Sequence, residues 1–209
     1  MSESKCIILA ASDFNQEELK KRKNDFLIVA DAGYINFKKI RNLTNNDIDL
    51  LIGDFDSIDK IPDGVEVKRL NPIKDDTDVL DAIKYALSLG YRNFELYGCI
   101  GGRIEHSLAN ISALSFINKN KAKAKIINGN QIIEVLSNEI KEFNKEFKGY
   151  ISLFSLSEES LININGLKYE LNNHLLTNDF PLGIDNEFVG KDSKIDVIKG
   201  KVLIIYYKN

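Results

Sequence analysis

Three short apolar runs, KCIILAA at 5–11, FLIVADA at 26–32 and DIDLLIG at 47–53, restrict the fold more than any other feature of the chain. Their apolar residues are continuous rather than alternating. A strand with one wet face alternates, so continuity implies burial on both faces, as in a parallel sheet covered by helices. Further strand-like runs follow at VEVKRL (65–70), NFELYG (93–98) and KAKIIN (123–128). Helical patterns lie between them. Over 77–89, TDVLDAIKYALSL places Val79, Leu80, Ile83, Ala86 and Leu87 at helical spacing, with Thr77 as N-cap and Gly90 just past the end. A second helix is predicted over about 105–118, with Leu108, Ile111, Leu114 and Ile117 on one face. Strands and helices in this succession give an α/β layout.

From about residue 140 the period changes. YISLFSL, LININGLKYEL and SKIDVIKGKVLIIYY alternate with period two and carry turn glycines. Lys199-Gly200, between two apolar runs, reads as a two-residue hairpin loop. Residues 129–140 read as the connection, though partly strand-like. The fold class expected is α/β: a parallel α/β nucleotide-binding domain at 1–135, then an all-β sandwich domain at 136–209.

Composition narrows the partners. Of the 209 residues 44% are hydrophobic, which suits a packed core and excludes wholesale disorder. The net charge of -3 and a pI near 5.5 leave no global basic field for nucleic acid or an anionic membrane, so neither is expected as a partner. The basic stretches KKRKN (20–24) and KNKAKAK (119–125) read as solvated surface. Cys6 and Cys99 sit in or beside strand-like runs without a CxxC or a Cys/His cluster, so a reducing compartment and no structural zinc are expected. MSESKCIILAA reads as a first strand rather than a secretory signal, and no run reaches the 18 apolar residues of a membrane span, so a cytoplasmic location is expected.

The chemistry is expected at one edge. In an open α/β sheet ligands bind beyond the carboxyl ends of the strands. Asp31 follows FLIVA, Asp54 and Asp56 follow DLLIG, and Gly98, Gly101 and Gly102 end or follow FELYG. Asp75, Asp76 and Asp78 crowd the start of the helix at 77. Acids there suit the helix dipole, but capping alone rarely needs three. Carboxylates at this helix start, close to Asp54 and Asp56, would repel unless a cation joins them. A hard divalent ion such as Mg²⁺, held by one or two carboxylates, water and substrate phosphates, answers this, and Lys74 beside the acids suggests a metal–nucleotide site. GCIGGRIEHSLANI (98–111) is a glycine turn entering a helix, where backbone and dipole favour phosphate and Arg103 offers a fork of donors. It is neither a Walker nor a dinucleotide fingerprint. His106 reads more readily as a structural group than as a catalyst, and no Ser-His-Asp or Cys-His pairing suggests covalent catalysis.

ADAGY, GDFDS, KDDTD and GGRIEHSLAN, in that order, resemble the thiamine pyrophosphokinase family, and SLFSL, INGLKYELNN and GIDNEF extend the resemblance through the second half. The resemblance implies transfer of the pyrophosphoryl group of ATP to the thiamine hydroxyl, leaving AMP. It implies a homodimer in which one subunit's α/β domain and the other's β domain hold thiamine. Asp54, Asp56 and Asp78 would then be the Mg²⁺ and phosphate carboxylates. Asp31, Lys74, Asp75, Thr77 and Arg103 would serve the nucleotide, Glu105 would face the thiamine hydroxyl, and Asp185 and Asn186 would meet thiamine. Either Asp78 or Glu105 could take the hydroxyl proton. The chain departs from the family in having Glu105 where Asp is usual, Asp185 where Ser is usual and Ala32 where Gly is usual. Competing readings are a pyrophosphokinase for another hydroxymethyl heterocycle, such as a pterin, and a non-catalytic sensor of thiamine or nucleotide.

Overall fold

The structure is a computed structural model that describes residues 4–71 and 76–207. The fold is mixed α/β and separates into two compact units, with the division after Gly129.

The first unit carries β1 (Cys6–Leu9), β2 (Phe26–Ala30), α1 (Gly33–Phe37), β3 (Leu50–Gly53), β4 (Val67–Arg69), α2 (Asp78–Ser88), β5 (Asn93–Tyr97), α3 (Ile104–Lys119) and β6 (Lys123–Asn128). Its strands stand in the order β6-β5-β1-β2-β3-β4, and every pair is parallel. The three continuous apolar runs are the central strands β1, β2 and β3, whose residues are buried apart from Phe26 at the entry to β2. Each isoleucine or leucine so buried stabilises the unit by about 1.5–3 kcal/mol before chain entropy is counted. Helix α2 packs on β1, β2 and β3, α3 lies beside α2 on β6, and α1 packs on β1 and β2.

The caps of α2 are as expected: Thr77 Oγ1 accepts the Leu80 N–H at 3.2 Å, and Gly90 takes φ 91° just after the helix. Helix α3 buries a different face from the one expected. Leu114 and Ile117 are buried, but their companions are Ser107, Asn110 and Ala113, while Leu108 is 57% exposed. The helix is apolar around most of its circumference, so spacing alone does not select its inner face.

The second unit is all β. Its strands are β7 (Gln131–Leu136), β8 (Ile140–Phe143), β9 (Tyr150–Ser155), β10 (Glu159–Asn165), β11 (Leu171–Thr177), β12 (Asn186–Glu187), β13 (Ser193–Lys199) and β14 (Val202–Tyr207). They pair antiparallel in the orders β12-β9-β14-β7 and β11-β10-β13-β8. Side chains alternate between buried and wetter along β9, β10 and β13. Rings from strands of both sheets meet: Phe143 of β8 lies 5.0 Å from Tyr206 of β14 and 5.2 Å from Phe188. Within the stretch expected as a connection, β7 pairs with β14.

Lys199-Gly200 does not close a hairpin. Strand β13 pairs with β10 and β8, whereas β14 pairs with β7 and β9, so the chain changes sheet there. Gly200 has φ 90°, and a Cβ on it would sit 2.5 Å from Ser160 Oγ. Only glycine lets the backbone turn so tightly against β10.

Candidate active site

In the first unit β1 stands between β2 and β5. The chain leaves β1 towards one side of the sheet and later returns on the other. The carboxyl ends of such neighbours diverge and leave a crevice. A cleft of about 530 Å³ lies there. Its walls include Ala10–Ser12 after β1, Asp31 and Ala32 after β2, and Gly98 with Gly101–Arg103 after β5. Ser57, Thr77 and Asp78 close another side.

Carboxylate oxygens of Asp31, Asp54 and Asp56 come within 4.8 Å of one another. The register Ala30↔Ile52 between β2 and β3 makes this possible, because Asp31 and Asp54 follow adjacent strand ends. Local backbone strain fixes the group further. Asp31 has φ 40° and Phe55 φ 65°, a left-handed conformation that costs energy outside glycine and asparagine. Hydrogen bonds hold it: the Phe55 N–H donates to Asp31 Oδ1 at 3.1 Å and the Asp31 N–H to the Ile52 carbonyl at 2.7 Å. The Asp56 N–H donates to Asp54 Oδ1 at 3.3 Å, and Ser57 Oγ donates to Asp56 Oδ1 at 2.8 Å.

Burial raises the Asp31 pKa above the usual carboxylate range, and the charges of Asp78 and Asp54 add to it, against the opposing N–H groups of Ala32 and Phe55. Three oxygen donors in mutual repulsion suit a hard divalent cation, so these residues fit Mg²⁺. Asp31, expected on the nucleotide side, is thus the third member of the cluster. Asp78, expected with Asp54 and Asp56, lines the cleft and acts on Asp31 through its charge.

The glycine turn lines the same cleft from the end of β5, on the other side of β1 from Asp31. Arg103 stands at the N-cap of α3, and its Nε donates to Glu105 Oε1 at 2.6 Å. The Glu105 pKa is lowered by the N–H at its own position in the first helical turn, then by the Arg103 hydrogen bond. His106 lines the cleft and is exposed. Lys74 and Asp75 lie outside the described residues.

Asp185 and Asn186 belong to the second unit. Asn186 is buried, and its side chain is committed to its own neighbourhood. It accepts the N–H of Tyr169 at 3.0 Å and of Glu187 at 2.9 Å, and donates to the Tyr169 carbonyl at 2.7 Å. Asp185 is exposed at φ 56°, and its N–H donates to Ser152 Oγ at 3.1 Å. Phe188 is a buried member of the ring cluster.

Sequence reasoning missed Ser12, Asn36, Ser107 and Asn110. Asn36 Nδ2 donates to the Ala11 and Ser12 carbonyls, both at 2.9 Å, and Asn110 Nδ2 to the Cys99 carbonyl at 2.9 Å. The signal available was weak: Ser107 and Asn110 lie three residues apart on one helical face, but polar residues recur all along this helix.

The catalytic-domain model of thiamin pyrophosphokinase matches residues 18–126, and the vitamin B1 binding domain model of thiamin pyrophosphokinase matches residues 136–202. The thiamine pyrophosphokinase of Bacillus subtilis (strain 168) is 31% identical over 163 residues, which are 73% of this chain and 75% of that protein. Among solved structures, a thiamine pyrophosphokinase from Bacillus subtilis superposes with a TM-score of 0.85 at 24% identity, over 99% of this chain and 100% of that one. One from Geobacillus thermodenitrificans gives 0.81 at 19% identity, over 98% and 97%. The yeast enzyme gives 0.75 at 14% identity, over 98% and 86%. At these identities the structures speak for the fold, while the two domain models and the 31% relative speak for descent: the chain belongs to the thiamin pyrophosphokinase family.

Proposed function

We propose that the chain carries out the family reaction, transfer of the pyrophosphoryl group of ATP to the hydroxyl of thiamine, in the cleft at the carboxyl ends of β1, β2 and β5. The observation that carries this reading is the convergence of Asp31, Asp54 and Asp56, with Asp31 lining the cleft that a glycine turn opening a helix also lines. One wall offers carboxylates for a cation, and the other offers N–H groups and Arg103 for phosphate.

In the reaction the thiamine hydroxyl oxygen bonds to the β-phosphorus. The bond from that phosphorus to the oxygen bridging to the α-phosphate breaks, and AMP leaves with that oxygen. The hydroxyl proton passes to a carboxylate. Such a transfer asks a protein for positioning and charge neutralisation more than for covalent chemistry. Asp31, Asp54 and Asp56 would hold Mg²⁺, with Asp78 alongside. The ion supplies the charge that offsets the phosphates. Arg103, with Lys74, Asp75 and Thr77, would serve the nucleotide. Two carboxylates are candidates for the proton: Asp78, which lines the cleft, and Glu105, which accepts a hydrogen bond from Arg103.

The first unit is the ATP- and Mg²⁺-binding catalytic domain of this reading. The second is a β-sandwich domain for thiamine, offering Asp185 to the substrate from the partner subunit of a homodimer, with Asn186 shaping the turn beside it. Buried, unpaired Cys6 and Cys99 suit a reducing cytoplasm. A panel of acceptors tests the reading. Thiamine should support AMP release, and a hydroxymethyl pterin should not. Release with the pterin and none with thiamine would transfer the activity to that heterocycle.

A further inference from the structure

Among the described residues of the first unit four polar side chains are buried: Asp25, Asn36, Ser107 and Asn110. A buried polar group is costly unless its hydrogen bonds fix something. Asp25 secures Arg22 and the Lys5 N–H. The other three all act on the two backbone segments that wall the cleft. Asn36, from α1, holds the Ala11 and Ser12 carbonyls. Asn110, from the second turn of α3, holds the Cys99 carbonyl. Ser107, from the first turn, accepts the Gly101 N–H at 3.0 Å and points back to the Gly101 carbonyl at 3.4 Å.

The two segments are also tied to each other. The Ser12 N–H donates to the Gly98 carbonyl at 2.9 Å, and Ser12 Oγ donates to the Gly101 carbonyl at 3.1 Å. A Cβ at Gly98 would lie 2.5 Å from the Ala10 carbonyl oxygen. One network therefore runs from α1 through 10–12 and 98–101 into α3. It absorbs the Gly101 N–H and leaves the start of α3 facing the cleft.

We infer that Ser107, supported by Ser12 and Asn110, is a positioning residue that sets the glycine turn for the polyphosphate of ATP, and that it has no part in recognising the acceptor. This rests on the functional reading above. A preset turn loses less freedom when anions bind to it, so the network acts on nucleotide affinity. The hydrogen bonds that form it join Asn36, Ser12, Ser107 and Asn110 to the backbone of 11–12 and 98–101, not to Asp31, Asp54 or Asp56.

The test compares Ser107→Ala, Ser107→Thr and Ser12→Ala with the unaltered chain. Affinity for ATP with Mg²⁺ is read by calorimetry, kcat and both KM values by turnover, and folding by thermal melting. Ser107→Ala should weaken ATP binding and raise the ATP KM about tenfold, as expected for one lost buried hydrogen bond. The thiamine KM should stay within about twofold, and Ser107→Thr, which keeps the hydroxyl, should restore ATP affinity. Ser12→Ala should shift ATP in the same direction by less. If Ser107→Ala does not fold, the Ser12→Ala shift decides alone. Unchanged ATP affinity in the folded alanine variants, a parallel rise in both KM values, or a threonine variant as weak as alanine would overturn the inference. An unaltered chain that binds ATP without turnover would overturn the functional reading only, and the binding arm would still decide this one. A chain that binds no ATP would overturn both.

Discussion

Asp31 Oδ1 accepts the N–H of Phe55 at 3.1 Å, so the acid that follows β2 holds the turn carrying the two acids that follow β3. The cluster is thus built against its own electrostatics. Hydrogen bonding and backbone strain keep three carboxylates together whose charges push them apart.

Removing one of those charges should cost function and spare the fold. Asp54→Asn should lower turnover by more than about a hundredfold, because the hold on the cation that offsets phosphate charge is weakened. Its melting temperature without metal should equal or exceed that of the unaltered chain. Turnover near normal in a folded Asp54→Asn chain would remove Asp54 from the site.

The raised pKa of Asp31 gives stability a pH dependence of definite sign. A carboxyl whose folded pKa is raised favours folding while it is protonated, at a pH below its unfolded value, and that contribution is lost as the pH rises through the folded pKa. Ionised Asp31 therefore destabilises the metal-free chain at neutral pH. Asp31→Asn, which keeps the oxygen that Phe55 uses, should raise the metal-free melting temperature over that of the unaltered chain at pH 7, and by more than it does at pH 4. It should also diminish the further rise produced by Mg²⁺ in the unaltered chain. Melting curves at both pH values, with and without Mg²⁺, check the sign.

Gly98 is held at φ 63° with no room for a methyl group between the Ala10 and Ser12 carbonyls. Gly98→Ala should destabilise the first unit by about 2 kcal/mol or more, through strain and steric conflict together. Denaturant unfolding measures this. An unchanged midpoint would mean that the turn is not fixed as described.

In the second unit fold and recognition should separate between adjacent residues. Asn186→Ala loses bonds to Tyr169 and Glu187 and should cost about 2–3 kcal/mol of stability. Asp185→Asn should leave the melting temperature unchanged, since the side chain is exposed and asparagine tolerates its positive φ. Its effect should fall on the thiamine KM.

The central strands were legible because burial on both faces leaves a continuous apolar signature, as in LLIG of β3. Thr77 and Gly90 marked α2 because caps act locally. The inner face of α3 was not legible, since Ile104 and Leu108 are as apolar as Leu114 yet face outward. The change of sheet at Gly200 was hidden because alternation reports exposure and says nothing about partners. The five-residue α1 is too short for a period to emerge. Asp31 could be placed at the right edge from sequence. Its union with Asp54 and Asp56 depends on β2 and β3 being neighbours in a given register, which is a property of the sheet. The local duty of Asn186 depends likewise on Tyr169, seventeen residues away in sequence.

The reaction proposed for the Asp31–Asp54–Asp56 cluster and the glycine turn is metal-dependent pyrophosphoryl transfer to thiamine. It is tested most directly by incubating the chain with ATP, thiamine and Mg²⁺ and following AMP and thiamine diphosphate by mass spectrometry, with and without EDTA. Equal amounts of both products, abolished by EDTA and restored by excess Mg²⁺, are predicted. ATP binding with neither product, or product formation indifferent to EDTA, would contradict the account.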